Sequence, residues 1–276
     1  MFDTITSTAD DSPARPPPAP ITFGHATHRG RVRPTNEDDH AVAPDLGFFV
    51  VADGVGGLPG GALASRLATL GMVYALRASC ADATVLRAEG LDTPGFQVGR
   101  LVAAGHRAHE MILDHAARSG LPGAATTMAA LWITGDRALV ANTGDSRVYR
   151  LAGDTLEQLT KDHTAIQEIL DTFGPQSARS LAHLSHLVTE VLGGRQSRPP
   201  AVRVVDLPIS KPEVLLLCTD GLFKMLSEPE IASILSREAS PQRAAQALIE
   251  RANEAGGGDN ITVVVVQVQP PASVLS

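Results

Sequence analysis

The sequence predicts an α+β fold of two packed sheets flanked by helices, and three observations lead there. Short runs rich in Val, Leu, Ile and Thr recur at 21–27, 47–52, 126–134, 137–142, 146–151, 201–207, 213–219 and 261–268, with the length and composition of strands. Apolar residues at helical spacing fill 62–78 and 96–118, and again 228–255 with a break near Ser240 and Pro241. The strands come in runs separated by a long helical pair, rather than alternating with single helices, which excludes a simple βαβ series.

Each element can be justified in turn. The runs FFVVA, VLLLC and ITVVVV are strongly apolar and belong to a buried sheet, yet they fall far short of the ~20 residues that span a bilayer. Between 125 and 151 the strands follow one another through Gly-Asp turns, which predicts antiparallel hairpins. Residues 1–20, ending PARPPPAP, read as a flexible, Pro-rich N-terminal tail. No comparable linker interrupts the chain afterwards, so 21–270 reads as one domain, with 271–276 as a C-terminal tail. Residues 163–195 lack a clear period, hold three His, several Ser and a Gly-Gly, and read as a surface insertion.

Composition narrows the function. With 43% hydrophobic and 19% charged residues the 276-residue chain is globular, not disordered. A net charge of −7 argues against a general nucleic-acid binder, which would lean on basic patches. The two cysteines, Cys80 and Cys218, form no CxxC, so neither a disulfide framework nor a zinc ribbon is expected. The N-terminus lacks a basic region followed by an apolar one, so the expectation is a soluble, cytoplasmic protein without membrane insertion.

A recurring carboxylate is the most informative pattern. GFFVVADGVGG and VLLLCTDG are apolar runs that close on Asp-Gly, at Asp53 and Asp220. GGGDNITVVVV places Asp259 just before an apolar strand, and RPTNEDDH supplies Glu37, Asp38 and Asp39. Taken singly, these are turn formers or a solvated acidic face. Taken together, they put several carboxylates at the rim of a buried sheet, where desolvated like charges repel unless a cation neutralises them. Their oxygens suit Mg²⁺ or Mn²⁺, and glycine after the Asp lets the backbone come close.

The ordered set RxxNED (33–38), VVADGVGG, GAATTMAAL, ANTGDSRVYRL, LTKDHT, VTEVLGG, LLLCTDGL and GGGDNITVVVV resembles the metal-dependent serine/threonine protein phosphatases of type 2C, the bacterial branch in particular. The resemblance covers about residues 21–268. It implies a four-layer αββα sandwich of two antiparallel sheets flanked by helices, with two Mn²⁺ or Mg²⁺ ions at one end. It further implies that Asp53 bridges the ions, that the Gly54 carbonyl binds one of them, and that Asp220 and Asp259 complete the other. Glu37 and Asp38 would hold metal-bound waters, Arg33 would grip the substrate phosphate, and Asp145 with Asp220 would hold a third, weaker ion. The reaction implied is hydrolysis of phosphoserine and phosphothreonine in proteins by a water bridging the two ions, opposing bacterial Ser/Thr kinases. A monomer is expected, with phosphorylated proteins, a Ser/Thr kinase and its targets as partners. Segment 163–195 would be the variable flap beside the site.

The sequence departs from the family pattern at a few places. Val55 stands where some relatives carry a proton-donating His, Leu58 and Ala62 replace common residues, and Glu190 stands where a basic residue is frequent. His106 and His109 read as ordinary helix residues, and Cys218 as a small core residue. His163 reads as structural, with Asp162 a possible orienting partner, and His183 and His186 lie in the presumed flap. Two rival readings are a phosphoprotein-binding module without catalysis and a metal-dependent esterase for small phosphoesters. The presence of Asp220 and Asp259 favours an enzyme over the binding module.

Overall fold

The computed structural model describes residues 20–55, 60–81, 93–174, 184, 187–195 and 198–270. Both expected tails, apart from Pro20, lie outside the described residues, as do Leu58, His183, His186 and part of 163–195.

Twelve strands and six helices are described, in the order β1 (Ile21–His28), β2 (Asp38–Ala43), β3 (Phe48–Asp53), α1 (Gly61–Ala81), α2 (Pro94–Ser119), β4 (Ala125–Thr126), β5 (Met128–Thr134), β6 (Arg137–Thr143), β7 (Arg147–Ala152), β8 (Thr155–Gln158), α3 (Ala165–Phe173), β9 (Leu192–Gly193), β10 (Arg203–Pro208), β11 (Glu213–Cys218), α4 (Asp220–Phe223), α5 (Glu228–Arg237), α6 (Pro241–Glu254) and β12 (Ile261–Val268). One five-stranded sheet runs β1-β12-β11-β7-β8 and the other β10-β6-β5-β3-β2, and a two-stranded ribbon joins β4 to β9. All the pairings are antiparallel.

Four layers follow from the two-residue period of the strands. In β3, Phe48, Val50 and Ala52 pack with Met72 and Leu76 of α1 and Leu101 of α2. Phe49 and Val51, pointing the other way, join Leu215 and Leu217 of β11 and Val264 and Val266 of β12 between the sheets. On the far side, Leu216, Cys218, Val263 and Val265 meet Ile231 and Leu235 of α5 and Leu248 of α6. These strands are buried on both faces, which is why they read as unbroken apolar runs rather than alternating ones. The result is the αββα sandwich expected from the family resemblance.

Helix boundaries obey local capping rules. Thr93 caps α2 by accepting from the Phe96 N–H, with Pro94 in the first turn, and Gly120 closes the helix in the left-handed conformation. Ser227 and Glu230 form a capping box on α5, and Ser240 with Pro241 opens α6 at the break visible in the sequence.

Besides the short helix α4 and the strand β9, three elements differ from the sequence reading. DDHAVA, read as part of an acidic run, is the edge strand β2, paired along its length with β3. TLEQ forms the short edge strand β8. The segment read as a period-free insertion begins with the helix α3, whose N-cap Thr164 accepts from the Gln167 N–H. None of the α3 residues is buried, so it rests on the surface.

Candidate active site

Asp53 is placed by the sandwich itself. The odd-numbered side chains of β3 face the other sheet, and Asp53 carries that row to its rim. The β2–β3 register sets Asp38 directly opposite. Thr126 and Thr127 then fix the Asp53 backbone. Its carbonyl accepts from Thr126 Oγ1 (2.7 Å) and the Thr127 N–H (2.8 Å), and its N–H donates to Thr127 Oγ1 (3.1 Å). Thr127 Oγ1 also lies 2.7 Å from Ser146 Oγ, beside Asp145.

The second sheet supplies the opposing carboxylates. Asp220 opens α4 after Thr219, whose hydroxyl donates to Asp38 Oδ2 (2.8 Å) and accepts from the Thr262 N–H (3.0 Å). Asn260, next to Asp259, clamps the loop that carries Arg33 and Glu37. Its Oδ1 accepts from the Glu37 N–H (2.8 Å), and its Nδ2 donates to the carbonyls of Arg29 (2.9 Å) and Thr35 (2.8 Å). Glycine follows two of these acids because nothing larger fits. A Cβ on Gly54 would stand 2.5 Å from the Gly61 carbonyl carbon, and one on Gly221 only 2.0 Å from the Asn260 oxygen.

Arg33, Glu37, Asp53, Gly54, Asp145, Asp220 and Asp259 thus line one cleft of about 520 Å³, together with Val55, Lys224 and Asn260. Asp38 is buried behind Asp53 instead of lining the cleft. Every candidate site residue of the sequence therefore comes to the same end of the sandwich.

The electrostatics of this cluster are unfavourable on their own. Burial, and then the charges of Asp38, Asp220, Asp145 and Asp259, push the Asp53 carboxyl well above the usual range. Burial chiefly, with Asp220 adding to it against hydrogen bonds from Thr262 and Thr219, raises Asp38 to about 7. Asp145 also rises to about 7, through burial and Asp220, with Lys224 opposing.

Part of the charge is met by the protein's own cations. Arg33 holds Asp259 through Nε and Nη2, both at 2.9 Å, and Lys224 pairs with Asp220. The hydrogen bond that Arg33 donates to Asp259 raises the Arg33 pKa above its ordinary value. Among the described residues no three His, Cys, Asp or Glu side chains already surround a common point suited to a metal ion. Asp38 Oδ1 and Asp220 Oδ1 nonetheless remain buried without a hydrogen-bond partner. Orphaned carboxylate oxygens in an oxygen-only cluster are the chemistry that a hard divalent cation satisfies, so the residues fit Mn²⁺ or Mg²⁺.

Sequence reasoning missed the supporting residues. Thr127, Thr219 and Asn260 stand inside the quoted motifs, each within one residue of an acid or hydrogen-bonded to one, yet their partners are distant in sequence. Lys224 carried no signal beyond lying four residues after Asp220. Asp162 does not orient His163, because its carboxylate is held by Arg147 at 2.6–3.1 Å and by Gln158 at 2.9 Å. His163 instead accepts on Nδ1 from the Gly144 N–H (3.1 Å), tying the start of the 163–195 segment to the loop that holds Asp145. Glu190 is buried and bound to Arg198 and the Ala201 N–H. His109 accepts from the Gly193 N–H (2.9 Å), and His106 lies 3.3 Å from the Pro200 carbonyl, so both fasten α2 to neighbouring segments. Cys218 is a free, buried thiol raised by burial.

Fold and cleft together define an αββα protein with an acidic, oxygen-lined centre at one end of its paired sheets. Comparison with known proteins gives that class a name. The family model described as protein phosphatase 2C matches residues 27–253, and the chain belongs to that family. It is 33% identical over 245 residues to a serine/threonine phosphatase stp of Listeria welshimeri, covering 87% of this chain and 93% of the relative. It is 30% identical over 246 residues to the protein phosphatase PhpP of Streptococcus pneumoniae, covering 88% and 95%. Among solved structures, the catalytic domain of the serine/threonine protein phosphatase PstP in complex with two manganese ions matches with a TM-score of 0.73 at 29% identity, covering 90% of this chain and 98% of that one.

Asn260→Ala releases three hydrogen bonds across the Arg33 loop and leaves the Glu37 N–H without its partner. Urea unfolding should show a loss of about 1–3 kcal/mol. A change within ~0.5 kcal/mol, as at an ordinary surface site, would mean that the clamp contributes little.

Proposed function

We propose that the protein is a divalent-metal-dependent phosphatase that hydrolyses phosphoserine and phosphothreonine in proteins. The observation that carries this reading is the convergence of acids from both sheets on one cleft, with orphaned carboxylate oxygens on Asp220 in its lining and on Asp38 opposite Asp53. Membership of the protein phosphatase 2C family supports it, as does a structural neighbour crystallised with two manganese ions.

In this reading Asp53, the Gly54 carbonyl, Asp220 and Asp259 would hold two Mn²⁺ or Mg²⁺ ions directly, with Glu37 and Asp38 acting through water. Asp145 with Asp220 would hold a third, weaker ion. Bound there, divalent ions lower the pKa of water toward neutrality and polarise phosphoryl oxygens.

The chain's own residues do the rest. Arg33 is half exposed at the cleft, and its fork, now turned to Asp259, matches two phosphoryl oxygens equally well. Asn260 holds the Arg33 loop in place, and Thr127 fixes the strand end that carries Asp53. Val55 borders the cleft but has no proton to give, so protonation of the departing alkoxide falls to water or another group.

The natural substrates would be targets of a bacterial Ser/Thr kinase, and the setting the cytoplasm. Among the described residues no helix is long and apolar enough to cross a membrane.

Hydrolysis of a phosphothreonine peptide should require added Mn²⁺, stop with EDTA, and be almost abolished in Asp53→Asn. Turnover that survives either EDTA or the substitution would refute the metal assignment. Arg33→Ala should raise KM for the same peptide by roughly 10- to 100-fold, the scale of a lost charged hydrogen-bond pair. An unchanged KM would remove Arg33 from substrate binding.

A further inference from the structure

The acids of the cleft are balanced unevenly. Asp259 has Arg33, which comes from a separate loop and can turn to a substrate. Asp220 has Lys224, four residues ahead on the same short helical turn. The Lys224 backbone N–H donates to the Asp220 carbonyl (3.0 Å), so the turn that positions the acid positions the ammonium as well.

Lys224 also lines the cleft beside Asp145, and its charge offsets the repulsion between Asp145 and Asp220. Asp145 has little freedom to move away. Its neighbour Ser146 is bonded to Thr127, and Gly144 is bonded to His163 through both its N–H and its carbonyl.

The two oxygens of Asp220 are therefore divided. Oδ2 faces Lys224, while Oδ1 is buried and has no partner. Oδ1 is thereby left to accept a cation without competition from the ammonium. Any ion drawn instead to Asp220 and Asp145 together meets the Lys224 ammonium already paired there, and like charges a few ångströms apart repel strongly in a partly desolvated site.

We propose that Lys224 is a built-in counter-ion for Asp145 and Asp220, so that a third divalent ion binds there only by displacing its ammonium. This rests on the metal-dependent reading given above. It makes Lys224 a positioning residue that sets how many ions the cleft holds, rather than a ligand of any of them.

Equilibrium dialysis of the full chain against Mn²⁺ tests this through stoichiometry and affinity, without reference to turnover. The wild type should hold two ions, with a third at least about tenfold weaker, a modest ratio for one opposing charge. Lys224→Gln should tighten the third site by about tenfold or more, while Lys224→Arg, which keeps the charge, should resemble the wild type. In Lys224→Gln combined with Asp145→Asn the gain should vanish.

Identical binding curves for wild type and Lys224→Gln would overturn the proposal, as would a gain that persists in the double variant. A raised peptide KM in Lys224→Gln with unchanged Mn²⁺ binding would overturn it too, by assigning the lysine to substrate. If the wild type binds no Mn²⁺ at all, the metal-dependent reading falls together with the proposal. If two ions bind and only the Lys224 effect is missing, the reading stands and the proposal alone fails.

Discussion

Repulsion among buried carboxylates is the constraint around which this molecule is arranged. Asp53 and Asp38 face each other across neighbouring strands, with Asp220 close enough to push the ionisation of both Asp53 and Asp145 upward. Such a cluster destabilises a fold unless cations compensate it, so it persists where function requires it. The surrounding architecture accordingly holds the acids in place. Strand ends, the Thr126–Thr127 pair, the Thr219 hydroxyl and the Asn260 clamp each remove a direction in which an acid could retreat.

The sandwich makes this possible because it is stiff on both sides. Each central strand is packed on a helix layer on one face and on the other sheet on the opposite face, so its end is fixed to within the tolerance of close packing. Asp53 extends the inner row of one sheet, while Asp220 and Asp259 flank strands of the other. The cleft therefore lies where the two inner rows run out of apolar partners. Charge compensation is then shared between Arg33 and Lys224, mounted on different elements, and the divalent ions proposed to bind.

Much of this was legible in the sequence for a physical reason. Strands buried on both faces leave unbroken apolar runs, and a carboxylate closing such a run is conspicuous, which exposed Asp53 and Asp220 at once. The long helices α1 and α2 were visible through their spacing, and the α5–α6 break through Ser240 and Pro241. What escaped was either short, polar or dependent on distant partners. β2 is an edge strand opening with two aspartates, so its acidity masked its pairing with β3. β8 is a four-residue edge strand, and α3 lies on the surface with no buried face to impose a period. Asp162 looked like a partner for its neighbour His163, but the guanidinium of Arg147, fifteen residues away, binds it instead. Thr219 and Asn260 took on roles only once the chain ends met, since their partners Asp38 and Glu37 lie at the other end of the sequence.

The acidic cluster is a source of instability, and the divalent ions proposed to bind there would convert it into a working centre. Thermal unfolding of wild type and Asp53→Asn, each in EDTA and in saturating Mn²⁺, tests this most directly. In EDTA the variant should melt at the higher temperature, because the substitution removes one of the repelling charges while keeping the side chain's shape. In Mn²⁺ the order should reverse, since only the wild type gains the full stabilisation of ion binding. A wild type that is the more stable protein in EDTA, or that gains nothing from Mn²⁺, would contradict the account.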